Sequence, residues 1–278
     1  MFALRDGPPE QVTVRGKEYC LTKVFKHDFW AATCLYERSE GSPADRIVVK
    51  FGRTQAFCGI PLHFYSRWLA GHESRIYGLL DGIPGVPKCY GCNVGGGIAI
   101  EYVDGVPLDH LDEVPSGFFD RLRELFEEIH KRGIAYCDAN KKSNMLVSAG
   151  GDCFLIDYQI AISVRDDWPW PLNAVLRAVV RYMASKDIYH ILKHKRRMAP
   201  EQLLPSEESL SKAKGILHRV HRRLGKPYRA LRRRFLRGQH AKGALESPTA
   251  GLESHLQPEK DTWRRAEEPE HPSEGVQQ

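Results

Sequence analysis

Asp138-Ala-Asn-Lys-Lys-Ser-Asn144 is the stretch from which the fold and the chemistry of this 278-residue chain can be inferred. Asn144 follows Asp138 by six residues, and a second carboxylate, Asp157, comes after a short apolar hairpin. In phosphoryl transfer, one acid orients a hydroxyl nucleophile, while an amide and a second acid hold Mg²⁺ against the phosphates of ATP. The pattern therefore predicts that Asp138 is the catalytic base and that Asn144 and Asp157 bind the metal.

Each of these residues also has a simpler interpretation. A lone loop aspartate such as Asp138 is commonly a turn former or a helix cap. The interpretation rests on the joint occurrence of Asp138, Asn144 and Asp157 with strand-like segments between them. Lys141 and Lys142, which lie inside the loop, can neutralise charge on a transferred phosphoryl group.

Two upstream residues extend the predicted site. Lys50 ends the apolar run Arg46-Ile-Val-Val-Lys50, where an unpaired buried ammonium would be costly. We therefore expect Lys50 to point into a cleft and to pair with phosphate and with Glu73 on the following helix. The alternatives are an edge-strand lysine that faces water and a surface glutamate, because exposed charged residues are the commoner case.

A third segment, Glu101-Tyr-Val103, follows the strand-like run Ile98-Ala-Ile100. An extended segment at this point can offer backbone N–H and C=O groups to an adenine edge, although any strand end carries the same groups. We predict that Glu101 and Val103 belong to the nucleotide-binding site.

Composition bounds the class of protein. The hydrophobic content of 42% is enough for a core. The sequence has no run of about 18 apolar residues, so no membrane span is predicted. The first residues lack the apolar region of a signal peptide. The seven cysteines follow no regular spacing, which favours reduced thiols and a cytoplasmic location. Cys89-Tyr-Gly-Cys92 has zinc-like spacing but no matching second pair, so strand-turn thiols are the favoured interpretation.

The charge is concentrated in one segment. Residues 211–242 carry 12 Lys and Arg residues and no acid, so the remainder carries 29 bases against 35 acids. Apolar residues at helical spacing within 211–238 predict a basic amphipathic helix. Such a helix can lie on an anionic membrane surface, bind nucleic-acid backbone, or cover the body of the protein. A nucleic-acid partner is the least favoured of the three.

The order of the predicted elements indicates an α+β fold. The expected strands are Gln11–Arg15, Tyr19–Phe25, Trp30–Tyr36 and Arg46–Phe51, which are rich in Val, Tyr, Phe and Thr. The expected helices are 62–80, Gly117–Arg132, Leu172–Ala184, Asp187–Lys195 and a further one within 207–238. We predict a small antiparallel sheet with one helix as an N-lobe (1–103), a mainly helical C-lobe ending in the basic segment (104–238) and a disordered tail (239–278).

Together these residues resemble the protein-kinase-like superfamily over about residues 15–200. The chain looks closest to compact bacterial kinases of the RIO-like and lipopolysaccharide core (Kdo/heptose) types. The resemblance implies a two-lobed fold that uses ATP and Mg²⁺, with a protein Ser/Thr or a glycolipid sugar as the hydroxyl acceptor. It matches Lys50 and Glu73 to the strand lysine and helix glutamate, Glu101–Val103 to the hinge, and Asp138 to the catalytic aspartate. It also matches Asn144 and Asp157 to the metal ligands.

The departures from ordinary protein kinases are specific. Tyr136-Cys137 stands in place of His-Arg, and Tyr158-Gln159 in place of Phe-Gly. Without that arginine, regulation through a phosphorylated activation loop is not expected. Without the glycine, a fixed Asp157 is favoured over an in/out switch. The Gly-rich loop is absent as well, and its place is taken by Lys23–Thr33, where side chains such as Lys26 or Thr33 would contact phosphate.

Two other functions fit the same pattern. A pseudokinase that binds nucleotide or a partner without turnover would explain the missing Gly-rich loop, although it need not keep Lys50, Asp138, Asn144 and Asp157. A small-molecule kinase of the aminoglycoside or choline type would have a similar site. It would prefer an acidic acceptor pocket, whereas this chain is basic in its C-terminal part, so we rank it last.

Overall fold

Six strands form one antiparallel sheet in the N-terminal part of a computed structural model, which describes residues 3–38, 45–56 and 62–212. The strands are β1 (Gln11–Val14), β2 (Lys17–His27), β3 (Ala31–Arg38), β4 (Arg46–Gly52), β5 (Cys89–Val94) and β6 (Gly97–Glu101). Their spatial order is β1-β2-β3-β4-β6-β5. The predicted strands are present, each within two residues of the expected bounds.

Alternation along β4 decides where Lys50 lies. Ile47, Val49 and Phe51 are buried in the core on one face of the sheet. Because successive strand residues point to opposite faces, Val48 and Lys50 lie on the other face. Val48 packs there against the larger core of the protein, so Lys50 is directed between the sheet and the rest of the chain.

One helix, α1 (His63–Leu79), connects β4 to β5. Its inner stripe contains Ile76 and Tyr77, which are buried. Glu73 lies three and four residues before them, and this spacing places it on the same face. A glutamate that is only 1% exposed therefore occupies a position at which helical periodicity calls for an apolar side chain.

The C-terminal part is mainly helical, with short strands between its helices. Its elements are β7 (Gly105–Pro107), α2 (Phe118–Lys131), β8 (Ile134–Ala135), β9 (Met145–Ser148), β10 (Cys153–Leu155), β11 (Ile162–Ser163), α3 (Leu172–Met198) and α4 (Pro205–Lys212). Strand β9 pairs with β7 and β10, and β8 pairs with β11. Single turns of 3-10 helix occur at Leu108–His110, Lys142–Asn144 and Pro200–Gln202.

The larger hydrophobic core joins the two parts. Its α2 members, Phe118, Leu122 and Phe126 among them, repeat at helical spacing and are fully buried. Ile76 and Tyr77 of α1 belong to the same core. Helix α1 therefore packs on the helical part as well as on the sheet, and it can carry a side chain between the two.

The predicted fold class is confirmed, because an antiparallel sheet with one helix precedes a mainly helical part. The predicted division of α3 into Leu172–Ala184 and Asp187–Lys195 is wrong. A single helix of 27 residues spans both segments, since neither glycine nor proline interrupts them and the carboxylate of Asp187 is used elsewhere.

The lobe boundary at residue 103 remains a prediction, as does the assignment of residues 104–238. The sheet ends at Glu101, and β7 pairs with β9 from Gly105 onward. Most of the basic segment 211–238 and the whole of the tail 239–278 lie outside the described residues. None of the helices in the described ranges combines the length and apolarity that a membrane span requires.

Candidate active site

Lys50 lies between two carboxylates that come from different elements. Its Nζ is 2.7 Å from Oε1 of Glu73 and 3.0 Å from Oδ1 of Asp157. The three residues come from β4, α1 and the segment that follows β10, and 107 positions separate Lys50 from Asp157. The structure thus brings together three of the residues that the sequence singled out.

Burial and charge act against each other in this group. Burial lowers the pKa of Lys50, but the charges of Asp157 and Glu73 outweigh it and raise that pKa above its ordinary value. Burial raises the pKa of Glu73, and Lys50 only partly offsets the effect. For Asp157, Lys50 outweighs burial and lowers the pKa. The neighbouring charges therefore favour the ionised forms of Lys50 and Asp157, and burial works against the ionised form of Glu73.

A second polar group lies in the loop between β8 and β9. The Nδ2 of Asn144 donates to Oδ2 of Asp138 at 3.1 Å, and the Nζ of Lys141 is 2.7 Å from the same oxygen. Burial raises the pKa of Asp138, against the opposing effects of Lys141 and Asn144. The loop therefore holds a partly buried carboxylate beside a half-exposed ammonium.

Tyr136 connects the two polar groups. Its hydroxyl donates to the carbonyl oxygen of Ile156 at 2.5 Å and accepts from the Nδ2 of Asn144 at 3.0 Å. The N–H of Ile156 in turn donates to the carbonyl oxygen of Asn144 at 3.0 Å. Since Asp157 follows Ile156, this network couples the position of Asp157 to that of Asn144 and, through Asn144, to Asp138.

Asp187, on α3, anchors the start of the loop between β8 and β9. Its two carboxylate oxygens accept hydrogen bonds from the backbone N–H groups of Tyr136 (2.8 Å) and Cys137 (3.0 Å). Nε2 of His130 lies 3.2 Å from Oδ2. Asp187 is 1% exposed, and burial raises its pKa. A carboxylate in this position satisfies two buried donors for which the backbone provides no partner.

Aromatic packing fixes the chain on both sides of Asp157. Tyr158 is fully buried and meets Tyr77 and Tyr136 edge to face, with ring centroids 4.9 Å and 5.3 Å apart. Asp157 has φ +67° and Cys137 has φ +68°, in the left-handed region that non-glycine residues rarely adopt. Such conformations persist where the surroundings enforce them. The packing supports the expectation of an aspartate held in one position.

The segment Lys23–Thr33, which the sequence predicted to stand in place of a Gly-rich loop, forms the hairpin between β2 and β3. Its turn amides, the N–H groups of Trp30 and Ala31, donate to Oδ1 of Asp28 at 2.7 Å and 2.9 Å. The Nζ of Lys26 is 2.8 Å from Oδ2 of Asp28. The charge of Lys26 also contributes to the lowered pKa of Asp157, so this ammonium lies within electrostatic reach of that carboxylate. The carboxylate of Asp28 thus accepts hydrogen bonds from amides that are suited to binding an anion.

The two predicted adenine contacts lie at the junction of the two parts. The carboxylate of Glu101 accepts from the N–H of Lys88 at 3.0 Å, and its own N–H donates to the carbonyl of Lys88 at 2.8 Å. Among the hydrogen bonds of the described residues, none uses the backbone of Val103. A hinge contact in this region would therefore use the carbonyl of Glu101 and the backbone of Val103.

Sequence reasoning did not find the roles of Asp187 and Asp28 and noted Tyr136 only as a departure. Asp187 lies 51 positions from Tyr136, and an acid within a helix carries no local sign of a distant partner. For Asp28, a usable signal was present. An aspartate at the start of a two-strand turn commonly accepts from the amides two and three residues later.

The donor atoms fit a magnesium ion that is shared with phosphate. Mg²⁺ is commonly bound by one or two protein oxygens together with phosphate and water. Asp157 supplies an ionised carboxylate, and Asn144 uses its Nδ2 for Tyr136 and Asp138, which leaves its Oδ1 as an acceptor. In the described part of the chain, no three His, Cys, Asp or Glu side chains converge into a metal cage made of protein alone.

Comparison with known proteins gives structural likeness at low sequence identity. No known protein family matches the chain, and no curated protein matches it. The chain is similar to the Rio2 kinase of Chaetomium thermophilum, solved as an ADP/Mg²⁺-phosphoaspartate complex, with 17% identity and a TM-score of 0.48. The similarity covers 70% of this chain and 61% of that kinase, so less than two thirds of its length is represented. The likeness carries no argument about activity, which has to be judged from the geometry of the site.

Proposed function

We propose that this protein is an ATP- and Mg²⁺-dependent phosphotransferase that acts on a hydroxyl acceptor. The observation that carries the proposal is the position of Lys50 between Glu73 and Asp157, at 2.7 Å and 3.0 Å. Exposed charged residues seldom form such contacts across three elements, and a lysine held by two carboxylates is ready to exchange one of them for phosphate.

Lys50 and Glu73 would bind the nucleotide. Lys50 contacts the α- and β-phosphates, and Glu73 keeps its ammonium in place because the glutamate is buried on the inner face of α1. Lys26, which lies on the hairpin within electrostatic reach of Asp157, adds a second cation for phosphate in place of glycine amides. The carbonyl of Glu101 and the backbone of Val103 contact the adenine edge.

Asp138 would accept the proton of the attacking hydroxyl. Its pKa is raised by burial, which makes the carboxylate a better base than an exposed aspartate. Asn144 and Tyr136 hold it in orientation, and Lys141 stabilises negative charge beside it. Bound by Asn144 and Asp157, Mg²⁺ would supply neutralisation of phosphate charge.

The acceptor remains open between a Ser/Thr side chain of a protein and a sugar of the lipopolysaccharide type. We keep the division into an N-lobe (1–103) and a C-lobe (104–238) as part of the proposal. The proposed location is the cytoplasm, with a peripheral position at the inner face of the membrane as the second option.

A pseudokinase is the second candidate, and one observation favours it. Asp28 occupies the amides of the β2–β3 turn and pairs with Lys26, so a phosphate group entering there would have to displace or avoid a carboxylate. Such a hairpin would weaken nucleotide binding relative to a Gly-rich loop. The preserved contact of Lys50 with both Glu73 and Asp157 argues for the enzyme.

Phosphate release from ATP and autophosphorylation in wild type and Asp138→Ala test the proposal. We expect the variant to lose on the order of 10²- to 10⁴-fold in rate. Asp152→Ala, which removes a carboxylate from the turn between β9 and β10, is the matched control and should keep the wild-type rate. Equal rates in wild type and Asp138→Ala would refute the role of Asp138. Thermal stabilisation of the wild type by ATP and Mg²⁺ without any turnover would favour the pseudokinase.

A further inference from the structure

We infer that an exposed apolar face at the start of α3 docks on the surface of an anionic lipid bilayer. The face, called the tryptophan patch below, consists of Trp168, Trp170, Leu172, Val175, Val179 and Tyr182. The inference goes beyond the proposed phosphotransferase activity and does not depend on it.

The tryptophan patch is exposed to an unusual degree. Trp170 is 83% exposed and Val175 is 60% exposed, and each of the six side chains is at least 40% exposed. Single exposed apolar residues are ordinary, but a contiguous group of this size marks a surface that contacts something apolar.

The patch has the geometry of an interfacial helix. Leu172, Val175, Val179 and Tyr182 repeat at intervals of three and four residues and therefore share one side of α3. Of the residues from Leu172 to Lys186, all of which the structure describes, only Val180 is buried. The first half of α3 thus contributes little to the core, whereas its second half packs through Ile191 and Leu192.

Charge complementarity indicates an anionic partner. Arg177 pairs with Asp166, and Arg165 pairs with Asp167, so the two acids beside the patch are neutralised within the protein. Arg181 and Lys186 form no ion pair with any residue that the structure describes. Lys186 lies over the ring of Tyr182, 5.0 Å from its centroid, and therefore stands beside the apolar stripe, whereas Arg177 and Arg181 lie on the opposite side of α3.

Aromatic residues of α1 form a second exposed group. Tyr65 and Trp68 stack with ring centroids 6.1 Å apart, and Trp68 is 64% exposed. The ring of Trp68 also stacks on His72, which hydrogen-bonds the carbonyl of Ala161 at 2.8 Å. The aromatic end of α1 is therefore tied through His72 to Ala161, in the segment that leads to the tryptophan patch.

A bilayer fits these features better than a second copy or the chain's own basic segment. A second copy docked through the same face would bring another Arg181 and Lys186 to the contact. The basic segment would add positive charge as well, because residues 211–242 carry 12 bases and no acid. A bilayer offers an apolar phase next to anionic headgroups, and tryptophan prefers that boundary. The basic segment would then add electrostatic attraction to the same surface.

Co-flotation of the full-length protein with lipid vesicles tests the inference. The probes are vesicles of phosphatidylcholine alone and of equal parts phosphatidylcholine and phosphatidylglycerol. The variants are Trp168→Ser/Trp170→Ser and Val175→Ser/Val179→Ser. The matched control is Val106→Ser/Leu210→Ser, which removes two exposed apolar side chains, from β7 and α4. Circular dichroism and melting temperature check that each variant folds.

We expect the wild type to bind the phosphatidylglycerol vesicles, with binding weakened by NaCl. The tryptophan double variant should bind on the order of tenfold or more weakly, and the control should bind like the wild type. A wild type that does not bind these vesicles would overturn the inference. Equal binding by wild type and both patch variants would also overturn it, since the basic segment alone would then account for the attachment. The inference would also be overturned if the wild type were a dimer and the patch variants were monomers that bound vesicles as the wild type does. The patch would then be a surface for self-association.

Discussion

The Lys50 group and the loop from Tyr136 to Asn144 both hold charged side chains of the candidate site, but they are assembled differently. Lys50, Glu73 and Asp157 come from three elements and meet through ion pairs that span 23 and 107 positions. In the loop, Asn144 contacts both Asp138 and Tyr136, which lie six and eight positions before it. Asp187 supplies the loop's distant anchor through backbone amides.

The difference shows which part of the site depends on how the sheet packs on the helical part. An ion-pair group made by three elements requires α1 and β4 to be placed correctly on the helical part. A loop anchored by one buried carboxylate keeps its shape as long as α3 is in place. Substitutions in the first group should therefore act through charge and pH, and substitutions in the second through unsatisfied hydrogen bonds.

The largest expected effect on stability is that of Lys50→Met. Removing the ammonium leaves Glu73 buried without its partner, which should cost about 3 kcal/mol in the free energy of unfolding at neutral pH. Burial already raises the pKa of Glu73, and loss of Lys50 raises it further. A raised carboxyl pKa stabilises the folded state at low pH, and this contribution is lost as the pH rises through the folded pKa. The deficit should therefore be small at about pH 5 and full at about pH 8.

Denaturant unfolding of Lys50→Met and of Lys50→Met/Glu73→Leu across this pH range measures the effect. The double variant removes the stranded carboxylate and should recover most of the lost stability at high pH, although it should not transfer phosphate. A deficit of equal size at both pH values would show that Glu73 is not its source.

A smaller loss is expected for Asp187→Asn, which tests the anchored loop. The amide can accept from one of the two N–H groups of Tyr136 and Cys137, and it presents a donor to the other. One buried N–H then lacks a partner, which should cost about 2 kcal/mol. Chemical denaturation gives the stability, and the rate of ATP turnover reports whether Asp138 has moved.

Asp112→Asn, at an exposed position, is the control for Asp187→Asn and should unfold like the wild type. If Asp187→Asn lost neither stability nor turnover, the hydrogen bonds to the loop amides would not be what holds Asp138, and the contrast between the two regions would fail.

The smallest effect should be that of Tyr136→Phe, which breaks the connection between the two groups while leaving each in place. The ring still packs against Tyr158 and Phe126, but the carbonyl of Ile156 and the amide of Asn144 lose their shared hydroxyl. We expect a loss of about 1 kcal/mol in stability and a reduction of roughly tenfold in turnover, because the two proposed metal ligands would be misplaced.

A higher concentration of Mg²⁺ for half-maximal turnover in Tyr136→Phe would distinguish a positioning role from a purely structural one. Tyr90→Phe, which removes a hydroxyl outside the site, should change neither value. An unchanged Mg²⁺ dependence would mean that Asn144 and Asp157 keep their places without the tyrosine.

Local patterns were sufficient for much of the fold and for the choice of candidate residues. Alternation in Arg46–Phe51 and the apolar stripe of Gly117–Arg132 predicted a strand and a helix, and the observed bounds differ by one residue at most. The spacing of Asp138, Asn144 and Asp157 pointed to one site because each interval is short or closes a hairpin. These inferences use periodicity and turn chemistry, which depend on neighbours in the chain.

Other features depend on partners far away in the chain. Nothing near Asp187 indicates that its carboxylate accepts from amides 50 and 51 positions earlier. Because the carboxylate makes these bonds from inside α3, Asp187 does not begin a new helix there. Likewise, the hydroxyl of Tyr136 gains its role only when Ile156 and Asn144 arrive beside it. Residue type and spacing thus set which groups are available for chemistry. Because burial and long-range contacts are properties of the folded chain, only folding determines which of these groups become partners and which lose water.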